Sequence, residues 1–129
     1  MDKTALDRIS GDVVDAAMRV HSSLGPGLLE GAYEACLAYE LRRRGRVVEC
    51  QAAQSIRYDD VVLLENCYRI DLLVDDAVVV ELKTVERLLP VHEAQLLSYL
   101  VLSGRRVGLL LNFRVTHMRD GVRRLVNRL

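Results

Sequence analysis

The chain has 129 residues, 18 Lys and Arg balanced by 18 Asp and Glu, half of its residues apolar, no Trp and two Pro. A chain of that length buries roughly two-thirds of the surface its unfolded form exposes, so one domain with one core, free of disulfide or metal clips, is expected. Zero net charge excludes binding to nucleic acid through a bulk basic excess and leaves only local contact. The longest apolar runs, such as 107–111 and 78–80, fall far short of the ~20 residues of a membrane helix.

The opening stretch MDKTALDRIS is charged and lacks the apolar segment of a secretory signal. Leu6, Ile9, Val13, Ala17 and Val20 then recur at three- and four-residue steps, which predicts an amphipathic helix over 6–23. Leu24-Gly25-Pro26-Gly27 ends it. A second helix is expected over 28–44, closed by Arg42, Arg43 and Arg44 at the negative end of its dipole and by Gly45. From there the apolar period drops to two. Short strands are expected at 47–49, 54–58, 61–64, 68–74 and 78–83, with a hairpin around Asp59-Asp60 and a turn at Asp75-Asp76-Ala77. A third helix over 89–103 ends at Gly104, and 107–113 reads as a strand buried on both faces. The crossover from Lys83 is long enough to lay that strand parallel to its neighbour. The tail, 115–129, mixes strand and helix signals. Cys36, Cys50 and Cys67 show no C-x-x-C spacing and read as small buried hydrophobes, reduced in a cytoplasm.

The charged residues of the strand region do not fit a bland sheet. With a three-residue loop, Val74 pairs with Val78 and Asp71 falls opposite Glu81, while period two puts Lys83 on the face of Glu81. Adjacent carboxylates repel each other, and a divalent cation between them relieves this; Asp and Glu oxygens with a few waters are what Mg²⁺ accepts. Lys83, with Lys3 the only other lysine, would then orient an attacking water or offset charge on a phosphate. The plain alternative is a solvated hairpin end with Lys83 paired to Glu81. At 100° per residue, Glu30 lies within about 20° of Leu37 and Leu41 and shares their inward stripe, unless it simply suits the helix dipole as a first-turn acid. Gln95 and Tyr99 project together from the third helix, with His92 one turn earlier.

In chain order, Glu30, Asp71, Glu81-x-Lys83 and Gln95-x-x-x-Tyr99 on an α-β-β-β-α-β frame resemble the PD-(D/E)XK nuclease superfamily, in the branch with a Gln-x-x-x-Tyr helix. Gly27-x-x-Glu30-x-x-Tyr33, preceded by His21 and the Gly-Pro-Gly corner, is similar to the small bacterial GxxExxY proteins. So are Leu110-Leu-Asn112-Phe113 and Asp120-Gly121 with Arg124, and the resemblance covers about residues 9–126. It implies an α/β fold with a restriction-endonuclease-like core, a central mixed sheet flanked by helices. It implies further that Asp71 and Glu81 ligate Mg²⁺ or Mn²⁺, joined by the backbone carbonyl of Leu82 and by Glu30, and that Lys83 positions the water. Gln95 and Tyr99 would support the metal site or the scissile phosphate, with Tyr33 and His21 in support from the corner.

The expected function is a Mg²⁺- or Mn²⁺-dependent phosphodiesterase acting on DNA, with a homodimer suggested by the exposed sheet edge. Arg42, Arg43, Arg44, Arg46, Arg105, Arg106, Arg119, Arg123, Arg124 and Arg128 are the candidate phosphate contacts. The competing reading is a non-catalytic module of the same fold that binds a protein partner or a nucleotide. Metal binding that depends on Asp71 and Glu81 separates the two. A metal-free acid/base hydrolase is disfavoured on the expectation that Lys83 holds both carboxylates ionised.

Overall fold

The computed structural model describes residues 1–128. In chain order the elements are α1 (Lys3–Leu24), α2 (Glu30–Arg43), β1 (Val48–Tyr58), β2 (Val61–Val74), β3 (Val78–Lys83), α3 (Pro90–Ser103), β4 (Val107–Asn112), a 3-10 turn (Met118–Gly121) and β5 (Val122–Val126). Among these residues the strands form a five-stranded sheet in the order β1-β2-β3-β4-β5. β1, β2 and β3 make an antiparallel meander, β4 lies parallel to β3 across the α3 crossover, and β5 returns antiparallel to β4. This is the α/β, restriction-endonuclease-like arrangement expected from the sequence.

Helices cover both faces. α1 is capped by Asp2, whose Oδ1 accepts from the Ala5 N–H at 2.8 Å, and ends at Gly25, whose φ of 74° favours glycine. Its stripe of Leu6, Ile9, Val13, Ala17 and Val20 packs with Tyr33, Leu37 and Leu41 of α2 onto Leu72, Val74, Val78, Val80, Leu82, Leu109 and Leu111 of the sheet. On the opposite face Leu96 and Leu100 of α3 cover Ala52, Ile70, Leu73, Val79 and Leu110. The central strands are therefore apolar at nearly every position, as strands sandwiched between helices must be.

Two expectations are corrected. The segments 47–49 and 54–58 belong to one strand, β1, and 61–64 and 68–74 to another, β2. Glu65-Asn66-Cys67 hid the second continuity, because a bulge there takes Asn66 to a φ of 50° and shifts the register. The tail resolves into the 3-10 turn and β5, and Leu129 lies outside the described residues. Gly121 closes this end of the sheet, where a Cβ would overlap the carbonyl oxygen of Asn112. The Asn112 side chain in turn clasps the loop after β3: Val85 N–H donates to its Oδ1 at 3.1 Å and its Nδ2 donates to the Val85 carbonyl at 2.9 Å.

Candidate active site

The β2–β3 ladder runs from Val74↔Val78 to Leu72↔Val80 and stops. At the next step side chains take over the main-chain hydrogen bonding. The Asp71 N–H donates to Glu81 Oε1 at 3.3 Å, and the Leu82 N–H donates to Asp71 Oδ2 at 2.9 Å. The strands thus part into a fork filled by two carboxylates, while β3 stays paired with β4 as far as Lys83↔Asn112. Since Val79 lies in the α3-side core and Val78, Val80 and Leu82 in the other, period two sends Glu81 and Lys83 to the α3 side.

Electrostatics follow from this crowding. Burial first, and then the neighbouring Asp71 carboxylate, raise the Glu81 pKa to about 8. The Asp71 N–H and the charge of Lys83 pull the other way and are outweighed. The expectation that Lys83 keeps both acids ionised is therefore corrected, because one ammonium does not offset desolvation plus a like charge. Glu30 does not share the inward stripe of Leu37 and Leu41 as expected, because it is exposed in the first turn of α2; its pKa is also raised, by partial desolvation and by Asp71, against Lys83. On the α3 side, Tyr99 is raised by burial and by Glu81. Gln95 Nε2 donates to its hydroxyl at 3.0 Å, and its ring stacks on Tyr68 with centroids 4.4 Å apart. Asp71 thus influences groups on both helical layers.

Other sequence-predicted residues serve the frame. Tyr33 is fully buried, stacked on Phe113 at 4.4 Å. Its hydroxyl donates to the Gly25 carbonyl and accepts from the Leu28 N–H, pinning the Gly-Pro-Gly corner from which α2 and Glu30 start. His21 is buried with Nε2 2.7 Å from the Val115 carbonyl, beside a cleft of about 570 Å³ that Met18, Gly25 and Met118 also line and to which no carboxylate contributes. His92 caps α3, its Nδ1 accepting from the Leu89 N–H. Several candidate phosphate contacts are committed inside the molecule: Arg44 and Arg46 to Asp12, Arg105 to Asp76 and Arg124 to Asp7.

Two polar residues at the fork escaped the sequence. Glu34, one turn after Glu30, is raised by burial, opposed by a hydrogen bond from Gln51, and raised again by Asp71. Its signal was the four-residue spacing from Glu30. Gln51 was legible only through a register that the broken β1 pattern concealed. For a cation, the donor set is hard carboxylate oxygen, which suits Mg²⁺ and Mn²⁺. Among the described residues no three His, Cys, Asp or Glu side chains converge into a preformed metal cage.

The open mixed sheet, its meander and the α3 crossover define a restriction-endonuclease-like α/β protein. A family model of the PD-(D/E)XK nuclease superfamily matches residues 7–125, and the chain belongs to that superfamily. Nucleases on this core generally use divalent metals, and membership suggests a nuclease that binds nucleic acid. No curated protein and no solved structure matches the chain. No helix among the described residues is long and apolar enough to cross a membrane.

Proposed function

We propose that the chain is a Mg²⁺- or Mn²⁺-dependent nuclease that hydrolyses phosphodiester bonds, with DNA the first substrate to test. One observation carries the reading: Asp71 and Glu81 crowd a half-buried fork where burial and the neighbouring carboxylate favour a proton on Glu81, and the charge of Lys83 is too little to offset this. Such a pair costs stability unless a cation is to be held there. Asp71 and Glu81 would hold it, with the Leu82 carbonyl and Glu30 as the further protein donors. One or two carboxylates completed by water and substrate phosphate suit Mg²⁺ better than a closed cage. The bound ion would supply an acidified water and neutralise charge added to the phosphate. Lys83 would orient that water and place positive charge toward the phosphate. Gln95 and Tyr99, joined by their hydrogen bond, present donors from the α3 side.

The corner supports a finer placement in the GxxExxY group. Gly27-x-x-Glu30-x-x-Tyr33 makes physical sense if Tyr33 fixes the start of α2 so that Glu30 can project from it. The three Cys are not buried as expected, Cys67 being exposed and Cys36 and Cys50 half-buried, and as free thiols they suit a cytoplasmic setting. A homodimer through the hairpin tip is part of the reading, since Tyr58, Val61, Val62, Leu63 and Leu64 are all exposed beside the edge strand β1; light scattering at increasing concentration tests it.

The test of the whole is calorimetric titration of Mn²⁺ and Mg²⁺ into wild type and Asp71→Ala, followed by incubation of both with labelled single- and double-stranded DNA and RNA. Metal binding and metal-dependent cleavage that both vanish in the variant are expected. A wild type that takes up no metal, with or without nucleic acid, overturns the reading and leaves the interaction module in its place.

A further inference from the structure

Gln51 belongs to none of the motifs above, yet it is the residue through which β1 meets the fork. The register sets Cys50 opposite Leu72 and Ala52 opposite Ile70, so Gln51 faces Asp71. Its φ is 53°, a left-handed conformation that residues with a Cβ avoid and that extended strands do not use. Asp59, Asp60, Asn66, Asp75, Asp76 and, at the end of the described residues, Arg128 share that region, but Asp and Asn enter it far more readily than Gln does, and Gln51 lies inside a strand. The twist has a visible effect on the strand. Cys50 packs against the core under α1 and α2, while Ala52 lies in the core under α3, where simple alternation would keep both on one face.

The same twist aims the Gln51 amide at the acids. Nε2 donates to Glu34 Oε1 at 2.5 Å and to Asp71 Oδ1 at 3.2 Å, so both of its hydrogens are engaged. The Gln51 carbonyl accepts from Arg69 at 3.1 Å, which holds the twisted backbone from the far side. Because the Leu82 N–H already occupies Asp71 Oδ2, the carboxylate is gripped through both oxygens, one from each neighbouring strand. Each oxygen can still offer a second lone pair to a ligand.

We infer that Gln51, anchored by Glu34, is a positioning residue that fixes the plane of the Asp71 carboxylate ahead of cation capture. The inference rests on the reading of Asp71 as a metal ligand. A ligand already oriented by an outer partner gives up little freedom on binding, and loss of such a partner typically weakens metal affinity about 10- to 100-fold. Such backbone strain persists where surrounding contacts over-determine it, here the two acceptors of the Gln51 amide and the Arg69 bond to its carbonyl.

Two variants of the full chain test this. Glycine is at ease at this φ, so Gln51→Gly removes the amide without straining the backbone, and Gln51→Asn retains an amide one methylene shorter on a residue that tolerates the same conformation. The first readout is the Leu82 backbone amide resonance in ¹H–¹⁵N spectra without metal, which reports its bond to Asp71. The second is Mn²⁺ affinity by calorimetry. Gln51→Gly is expected to melt no lower than wild type, to shift the Leu82 resonance and to weaken Mn²⁺ binding about 10-fold or more, with Gln51→Asn in between. A Leu82 resonance unmoved in Gln51→Gly, or an unchanged Mn²⁺ affinity, overturns the inference. A wild type that binds no Mn²⁺ instead overturns the nuclease reading, and the Leu82 resonance alone then decides the role of Gln51.

Discussion

Asp71 and Asp75 stand four residues apart on one hairpin and occupy opposite electrostatic worlds. At the turn, Asp75 accepts from Arg46 at 2.9 Å and from the Val47 N–H at 2.8 Å. Arg46 also reaches Asp12 at 3.0 Å, and Arg44 ties Asp12, Asp15 and Glu40 together at 2.7, 2.8 and 3.2 Å. Burial works against the Asp12 carboxylate, but hydrogen bonds from Arg44 and Arg46 prevail and hold its pKa below the ordinary range. At the fork, burial and Asp71 together drive Glu81 up. The lesson is that partial burial of an acid is not decisive by itself; the count of opposite charges around it sets the sign. One region knits α1, α2 and the hairpin turn together, and the other holds an acid that keeps its proton until a cation can take its place.

Breaking the knitted region should have the largest destabilising effect. Asp12→Ala would leave two guanidiniums partly buried without their shared acceptor, and a loss of about 2 kcal/mol is expected by urea unfolding, below the cost of a fully buried pair because these groups keep some solvent. A loss within experimental error would show that the Arg44–Arg46 network is ornamental. Glu81→Gln should act with the opposite sign. Replacing an acid that resists ionisation by its neutral isostere is expected to stabilise the metal-free protein at pH 7, by up to about 3 kcal/mol, while abolishing Mn²⁺ binding. A destabilised variant would remove the contrast between the two regions.

The pH dependence sharpens the comparison further. Glu81 has a folded pKa of about 8 against an ordinary 4.5, so between those values the folded chain holds a proton that the unfolded chain releases. Stability therefore falls as pH rises through this window, by up to about 1.4 kcal/mol per unit for one group, and the slope should flatten in Glu81→Gln. Asp12 works at the other end: its depressed pKa contributes stability above the ordinary carboxylate range that is lost on acidification through its folded value. Melting curves from pH 2 to 9, with and without Mn²⁺, check both limbs. The smallest effect is expected at Tyr99→Phe, which removes the phenol that Gln95 binds. Stability should move by less than about 0.5 kcal/mol at this half-exposed position, with cleavage reduced about 10-fold.

How much of this was legible follows the reach of each signal. Helical stripes, Gly breaks and the short loop at Asp75 act over a few residues, so the helices, the turn and the approach of Asp71 to Glu81 could be read directly. The end of the β2–β3 ladder at Leu72↔Val80 could not, since it depends on two side chains replacing backbone partners. β1 was read as two pieces because Cys50 and Ala52 face different cores around a left-handed Gln51. With β1 broken, the register that sets Gln51 against Asp71 was invisible. The charge on Glu81 was misjudged for a related reason: a sequence shows which ions are neighbours but not how much water they lose.

Gly121 carries a final consequence, for how freely this sequence can vary. Its missing Cβ lets the 3-10 turn lie against the Asn112 carbonyl, and Asn112 in turn holds Val85, two residues after Lys83, by both its N–H and its carbonyl. A glycine far down the chain thereby governs where the strand bearing that lysine ends. In a library of single substitutions, Gly121 should tolerate replacement as poorly as any acid at the fork, though it would be lost for bulk and not for chemistry.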